Sequence, residues 1–534
     1  MQVDWVFVNG NIHTLDASRP RVQALAVMGN RVIATGGDAD LLAQEATAGK
    51  TINLQGRTVV PGFTDSHLHF LSYGLSLKQI DLTETLTLEH ALARVAARAA
   101  ETLAGHWLQG RGWDHTLWAG GTFPTRHDLD RVAPDHPVFL QRKCGHIGWA
   151  NSLALQLAGI AHETPDPPGG AIERDPTTGQ PTGILKERAM DLMFRLLQAP
   201  SVDEAVAAIK TGIVNAHKLG LVGVHTMEGT VSLRAFQHLR ATHDLKLRVL
   251  MQIPEENLDA AICLGLQSGL GDERLRIGGV KLFSDGSLGG RTAHMLEPYD
   301  GEPDNTGIPV ATSEHLRETI RRASRAGIAS FVHAIGDRAN REVLNAIEAS
   351  RQAGEGLNLR HRVEHVQILH PSDIPRLGQL GVIASMQPIH CTQDMHMADA
   401  SWGARSAGAY AWRSLLDNGA VLAFGSDSPV EDLNVMKGIH AAVTRRRADG
   451  SPGSEGWYPQ QRISVDDAVR AYTAGAAYAS GEEKIKGTLS PGKLADLVVL
   501  SQDIFEIDPM DILETQVVAT LFDGEFVYTS QDLP

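Results

Sequence analysis

His67 and His69 stand one residue apart where an apolar run ends, in the stretch Val59-Val60-Pro61-Gly62-Phe63-Thr64-Asp65-Ser66-His67-Leu68-His69. On an extended segment, residues two apart project from the same side. Two neutral imidazoles converging on one point make half a site for a divalent transition metal. A lone His-x-His pair arises often by chance, so a metal site needs further ligands elsewhere. Lys281, His333, His365 and Asp427 each stand where another apolar run stops. Ligand types recurring at the ends of separate runs are a more specific signal than any single motif.

Those runs must be arranged so that their ends converge. Eight strand candidates end near His67, His225, Gln252, Lys281, His333, His365, Gln387 and Asp427, and helical patterns alternate with them. Alternating strands and helices indicate a parallel sheet or barrel, and eight units are the number of a (β/α)8 TIM barrel, whose active site lies at the C-terminal ends of its strands. Each residue also has a plainer reading. His333 fits a satisfied strand-end histidine, and Lys281 a carboxylate clamp or an ion-pair partner. His365 is next to Glu364, although adjacent strand residues point to opposite faces. Asp427-Ser428-Pro429 resembles a helix N-cap, and His225 is read as a packing residue. Taken together, the metal-site reading is the stronger one.

The chain of 534 residues is long enough for a large barrel with accessory parts. The expected organisation is a small composite β-sandwich from residues 1–60 and 485–534, and a metal-dependent barrel from 61–75 and 201–484. An inserted α+β subdomain or lid, 76–200, would follow the first strand and cover the active-site face. Residues 166–183 within it read as a hairpin or lid loop. A formal net charge of −15 argues against a nucleic-acid or anionic-membrane surface. The basic run Arg445-Arg446-Arg447 reads as a solvated helix end. Cys144, Cys263 and Cys391 are far apart and odd in number, which implies no disulfide framework and fits a reducing cytoplasm. The first residues show no secretory pattern, and no apolar stretch approaches the ~20 residues that span a bilayer.

With these motifs in place, the sequence resembles the amidohydrolase superfamily of metal-dependent hydrolases over nearly its whole length. The likeness is greatest to the subgroup containing N-substituted formamide deformylases. It is carried by Pro61–His69, by Lys281-Leu282-Phe283-Ser284-Asp285-Gly286-Ser287-Leu288-Gly289-Gly290-Arg291-Thr292-Ala293 and by Gly425-Ser426-Asp427-Ser428-Pro429-Val430. Arg111-Gly112-Trp113-Asp114-His115 and Cys144-Gly145-His146-Ile147-Gly148-Trp149 match that subgroup as well. The resemblance implies a two-metal centre, most often zinc, with Mn2+ or Fe2+ as alternatives. His67, His69 and Asp427 would hold the first metal, and His333 and His365 the second. Lys281 would bridge them as a carbamate formed with carbon dioxide. A single-metal site, with His365 hydrogen-bonding water or substrate, is the alternative. Asp427 would be the general base and later the proton donor to the leaving amine.

Substrate choice is expected to lie in loops and the insertion. Trp113, His115, His146, Trp149 and Trp402 are candidates for an amphipathic pocket, and Arg291 or Arg111 for an anionic group; packing inside the insertion is an equal reading for the tryptophans. Asp285 is read as capping its loop. The expected activity is hydrolysis of an amide, N-formyl or N-acyl C–N bond of a small molecule. Hydrolytic deamination or opening of a cyclic amide is a rival on the same site, and a non-catalytic regulatory or binding barrel is a rival of a different class. The resemblance also suggests a homodimer.

Overall fold

The computed structural model describes residues 3–42, 48–83, 85–143, 145, 147–197 and 200–531. Eight parallel strands make one sheet: β1 Phe63–Leu68, β2 Leu221–Thr226, β3 Arg248–Pro254, β4 Leu275–Phe283, β5 Ala329–Ala334, β6 Arg362–His365, β7 Ile383–Met386 and β8 Leu422–Phe424. They are neighbours in chain order, with helices between most of them. This is the (β/α)8 barrel expected from the alternation, and all eight strand candidates fall on its strands. The chain forms two compact units, residues 1–70 with 212–534 and residues 71–211.

In the first unit, two sheets flank a shared apolar core. One has the order Arg31–Gly36, Ala24–Met28, Val3–Val8, Ala48–Asn53. The other joins both ends of the chain: Glu525–Thr529, Val517–Phe522, Leu497–Leu500, Thr58–Pro61, Asn11–His13, Arg21–Val22. Phe7, Leu25, Val27, Val59, Leu497, Val499 and Leu521 are buried in one cluster between them, the apolar filling a sandwich requires. Leu497–Leu500 pairs antiparallel with Thr58–Pro61. The C-terminal chain is thereby fixed to the strand that runs directly into β1.

The barrel is tied to this sandwich by charge. Arg248, at the start of β3 and 2% exposed, donates to Asp496 at 2.6 and 2.9 Å and to Asp523 at 3.0 Å. A buried guanidinium needs such partners, because desolvation otherwise outweighs every local gain.

The second unit is a six-stranded sheet with the helices Leu88–Glu101, Arg126–Val132 and Ser152–Leu157. Gly170–Arg174 and Pro181–Glu187 form an antiparallel hairpin, where the sequence indicated a hairpin or lid loop. One expectation about the surface is overturned. Arg445 ends the helix Val435–Thr444 but is fully buried. It donates to the backbone oxygens of Trp457, Tyr410 and Ala409, and its guanidinium lies 4.9 and 5.0 Å from the Trp412 and Trp457 rings. A charge run does not reveal that its first member serves buried carbonyls. Among the described residues, no helix is long and apolar enough to cross a membrane.

Arg248→Met leaves buried Asp496 without its counter-ion and Asp523 with Arg274 alone. We expect a stability loss of about 3–5 kcal/mol in urea denaturation, with partial recovery in the double variant Arg248→Met/Asp496→Leu. An unchanged midpoint in the single variant would show that the ion pair does not anchor the sandwich.

Candidate active site

The strands converge on one polar cluster at their C-terminal ends. Its first element is the seam between β1 and the chain that follows β8. The Asp427 backbone N–H donates to the His67 carbonyl at 2.7 Å, and the His69 N–H to the Ser428 carbonyl at 2.8 Å. Gly425 lies so close to this seam that a Cβ there would meet the His67 nitrogen at 2.5 Å. Buried Asp65 accepts from the backbone N–H groups of His67 and Ser426 at 3.0 Å each. Burial pushes the Asp65 carboxyl up to about 7, against those hydrogen bonds. Asp427 is held in a left-handed conformation (φ 59°), a cost that persists where surrounding contacts over-determine the backbone. It does not cap a helix; the next one, Val435–Thr444, is capped by Asn434.

Lys281 faces the barrel interior because of a bulge. Met251 of β3 pairs with Ile277 of β4, but Ile253 pairs with Val280, so β4 carries one extra residue at Gly278-Gly279. Side chains alternate along a strand, and the extra residue changes the face on which Lys281 emerges. It then shares a register row with Phe331, whose ring packs against the Arg362 guanidinium inside the barrel. Only glycine suits this position, since a Cβ on Gly279 would meet the Ala329 carbonyl oxygen at 2.4 Å. Burial pushes the Lys281 ammonium down to about 8, against the pull of Glu364 and Asp427.

On β6 the alternation is broken at its last residue. Glu364 pairs in register with His333 and Arg362 with Phe331, so both face inward. A regular strand would send His365 outward. Its φ of 75°, followed by 46° at Val366, turns it to the mouth as well, and a β-branched residue there is a genuine conformational outlier. The objection that Glu364 and His365 point to opposite faces therefore fails locally, and the two do not pair with each other. Glu364 accepts from His67 Nδ1 at 2.5 Å and from Arg362 at 3.1 Å, while His365 Nδ1 lies 2.8 Å from Gln387 Oε1. Arg362 also donates to Ser385 Oγ at 2.7 Å and contacts His225 Nδ1 at 2.9 Å, which accounts for His225 as an interior packing residue.

These contacts decide which ring nitrogens remain for a ligand. His67 has Nδ1 on Glu364 and Nε2 3.4 Å from Asp427 Oδ1. His365 has Nδ1 on Gln387, and His333 has Nε2 on the Gly286 carbonyl at 2.9 Å. The His365 ring centroid lies 4.6 Å from those of both His67 and His333. His69 Nε2 lies 3.5 Å from Asp427 Oδ1. Donor atoms of His67, His365 and Asp427 all lie within 4.8 Å of one another, the one such group among the described residues. Burial, reinforced by Lys281, pushes His333 down to about 3; burial, reinforced by His333 and His67, takes His365 well below the usual imidazole range. Burial opposes ionisation of Asp427, yet hydrogen bonds from His390, His67 and His69 hold its carboxyl well below the usual range. Neutral imidazoles at His333 and His365 and an ionised carboxylate at Asp427 are protonation states that bind a divalent metal, whereas at His69 burial is outweighed by Asp427, which raises the imidazole pKa. The nitrogen–oxygen set suits zinc, manganese or iron.

The sequence reading missed three participants. Glu364 orients His67, as carboxylates commonly do for metal-ligating histidines. Gln387 orients His365. His390, in the first turn of the helix Pro388–Trp402, places Nε2 3.3 Å from Asp427 Oδ2. Glu364 and Gln387 were visible as polar residues at strand ends, whereas His390 lies past its strand and carries no spacing signal. Asp285, read as capping its own loop, accepts from the His294 N–H at the far end of that loop and from the Ile335 and Gly336 N–H groups after β5, so its carboxylate joins two loops.

Pocket candidates fare differently. Trp113 and Trp149 are fully buried in the core of the 71–211 unit, and their indoles donate to Leu140 and Thr125 carbonyls at 3.0 and 2.8 Å. Their packing reading is the one their burial supports. His115, in the same unit, stacks on Phe123 with centroids 4.0 Å apart. Trp402 is fully buried at the end of its helix, and Arg291 is ion-paired with Glu302. His146, like Cys144, lies outside the described residues.

A barrel carrying a histidine–aspartate cluster at its strand ends defines a class of hydrolytic enzymes, and comparison with known proteins narrows it. The sequence profile of the amidohydrolase family matches residues 50–528. The chain belongs to that family. It is 35% identical to LONG AFTER FAR-RED 3 of Arabidopsis thaliana over 98% of this chain and 91% of that protein. It is 28% identical to the N-substituted formamide deformylase of Arthrobacter pascens, covering 98% of each. The solved structure of an uncharacterized metal-dependent hydrolase from Pyrococcus furiosus superposes with a TM-score of 0.76 at 31% identity, over 94% of this chain and 100% of that one.

Glu364→Gln removes the charge shared by His67 and Arg362. We expect metal affinity to fall about 10- to 100-fold, read by competition with a chromophoric chelator, together with a lower urea midpoint. Wild-type affinity would show that Glu364 does not support the site.

Proposed function

We propose that the protein hydrolyses a C–N bond in a small amide, of the N-formyl or N-acyl type, using divalent metal held by the mouth cluster. The observation that carries this reading is the convergence of His67, His365 and Asp427 donors within 4.8 Å. In this reading His67, His69 and Asp427 hold one zinc ion, and His333 and His365 hold a second. Lys281 joins the two sites as a carbamate. The buried Lys281 side chain has no ion-pair partner within 4 Å among the described residues. Burial, by lowering its pKa to about 8, enlarges the neutral fraction of the amine, whose lone pair can add to carbon dioxide with loss of a proton. The resulting anion is a metal ligand, which an ammonium is not.

A bound divalent ion supplies Lewis acidity, lowering the pKa of water to about 7 and polarising a carbonyl. Asp427 stands at this cluster as an ionised carboxylate, suited to accept the proton of the attacking water. The same carboxyl then returns the proton to the amide nitrogen as the C–N bond breaks. Water supplies the oxygen to the acyl product, and the amine leaves protonated. Similarity to the Arthrobacter pascens deformylase over the full chain supports N-formyl amines as the first substrates to test.

The test is an amine-release screen over N-formyl, N-acetyl and cyclic amides with zinc or manganese added. Turnover of at least one N-formyl or N-acyl amine is expected, lost on chelation and restored by metal. His67→Ala and Asp427→Asn should abolish it while circular dichroism stays native. Metal-free protein with full activity, or activity retained in either variant, would contradict the assignment.

A further inference from the structure

The Asp427 carboxylate has two oxygens in different surroundings. Oδ1 faces His67 and His69 at 3.4 and 3.5 Å, and Oδ2 faces His390 Nε2 at 3.3 Å. An ionised carboxylate only accepts hydrogen bonds, so the imidazole must be the donor across that contact. His390 is 7% exposed and belongs to the helix Pro388–Trp402, which follows β7 directly. Its Nδ1 lies 3.9 Å from Glu431 Oε1, and its ring centroid 6.3 Å from that of His365. The imidazole thus stands between two carboxylates, with its donor edge turned to the cluster. A fixed donor at Oδ2 leaves the carboxylate one orientation in which Oδ1 meets the histidines.

We propose that His390 is a positioning residue that clamps Oδ2 of Asp427 through Nε2–H, so that Oδ1 alone is presented to metal and to the attacking water. This rests on the function proposed above for its catalytic consequence, but the clamp itself is a statement about Asp427 and can be read without turnover. His390 is not one of the ligands, and it acts only through Asp427. Removing the clamp frees rotation of the carboxylate, which alters the coordination of the ion and misplaces the base.

The test compares His390→Leu, which removes the donor, with His390→Gln, whose amide places a donor near the same point. Each is loaded with Co2+, whose visible d–d absorption reports ligand geometry. The leucine variant is expected to bind cobalt with wild-type stoichiometry but with a displaced or weakened band, and glutamine to restore the wild-type band. With a substrate from the amine-release screen, kcat should fall about 10- to 100-fold in the leucine variant, with KM within twofold, and recover partly in the glutamine variant. An unchanged cobalt spectrum in the leucine variant overturns the clamp, whatever the activity. Loss of cobalt binding in a variant that melts like wild type also overturns it, since that would make His390 a ligand. If the leucine variant does not fold, His390→Asn, too short to reach Oδ2, must give the same altered spectrum. Failure of the wild type to hydrolyse any amide would count against the proposed function, leaving the spectral result to decide the clamp.

Discussion

The barrel mouth depends on how its first strand meets the chain leaving its last one. Two backbone hydrogen bonds join the His67 region to Asp427 and Ser428, and the buried Asp65 carboxyl ties Ser426 to the same strand. Residues some 360 positions apart are thereby fixed to within hydrogen-bond length. Each member needs the others: Gly425 allows the close approach, the positive φ of Asp427 aims its carboxylate, and the backbone bonds hold both. Without this seam His67, His69 and Asp427 would be three unrelated polar residues.

A second layer of contacts sets orientation. Arg362 lies at the centre of the barrel, where it neutralises Glu364, and Glu364 in turn holds His67. A buried ion pair of this kind adds little net stability relative to an apolar replacement. Its value lies in fixing one ring nitrogen of His67 and leaving the other for a ligand. Gln387 does the same for His365, and the Gly286 carbonyl for His333. The Gly278-Gly279 bulge does it for Lys281 by changing the face on which the side chain emerges.

The fold was largely legible in the sequence because strand ends, helical patterns and punctuation repeat eight times. The positions of His67, His333 and Lys281 at strand ends followed from that repetition. What was not legible arises where regular geometry is broken. His365 reaches the mouth only through left-handed backbone at itself and Val366, and no period-two pattern contains that information. His390 enters from a helix, one turn beyond its strand, and Glu364 looks like an ordinary strand acid until Arg362 and His67 are seen around it. Trp113, Trp149 and Trp402 show the opposite limit. Their type suggested a pocket, and only burial shows that they fill cores.

The central claim is that one metal-binding cluster forms where β1, β6 and the segment after β8 meet. Anomalous diffraction from zinc-loaded crystals, measured on both sides of the zinc absorption edge, tests this most directly. Two strong peaks are predicted in the cluster, one in contact with the side chains of His67, His69 and Asp427 and the other with those of His333 and His365. Zinc-loaded crystals with no peak at these residues, or with their only ordered zinc elsewhere on the protein, would contradict it.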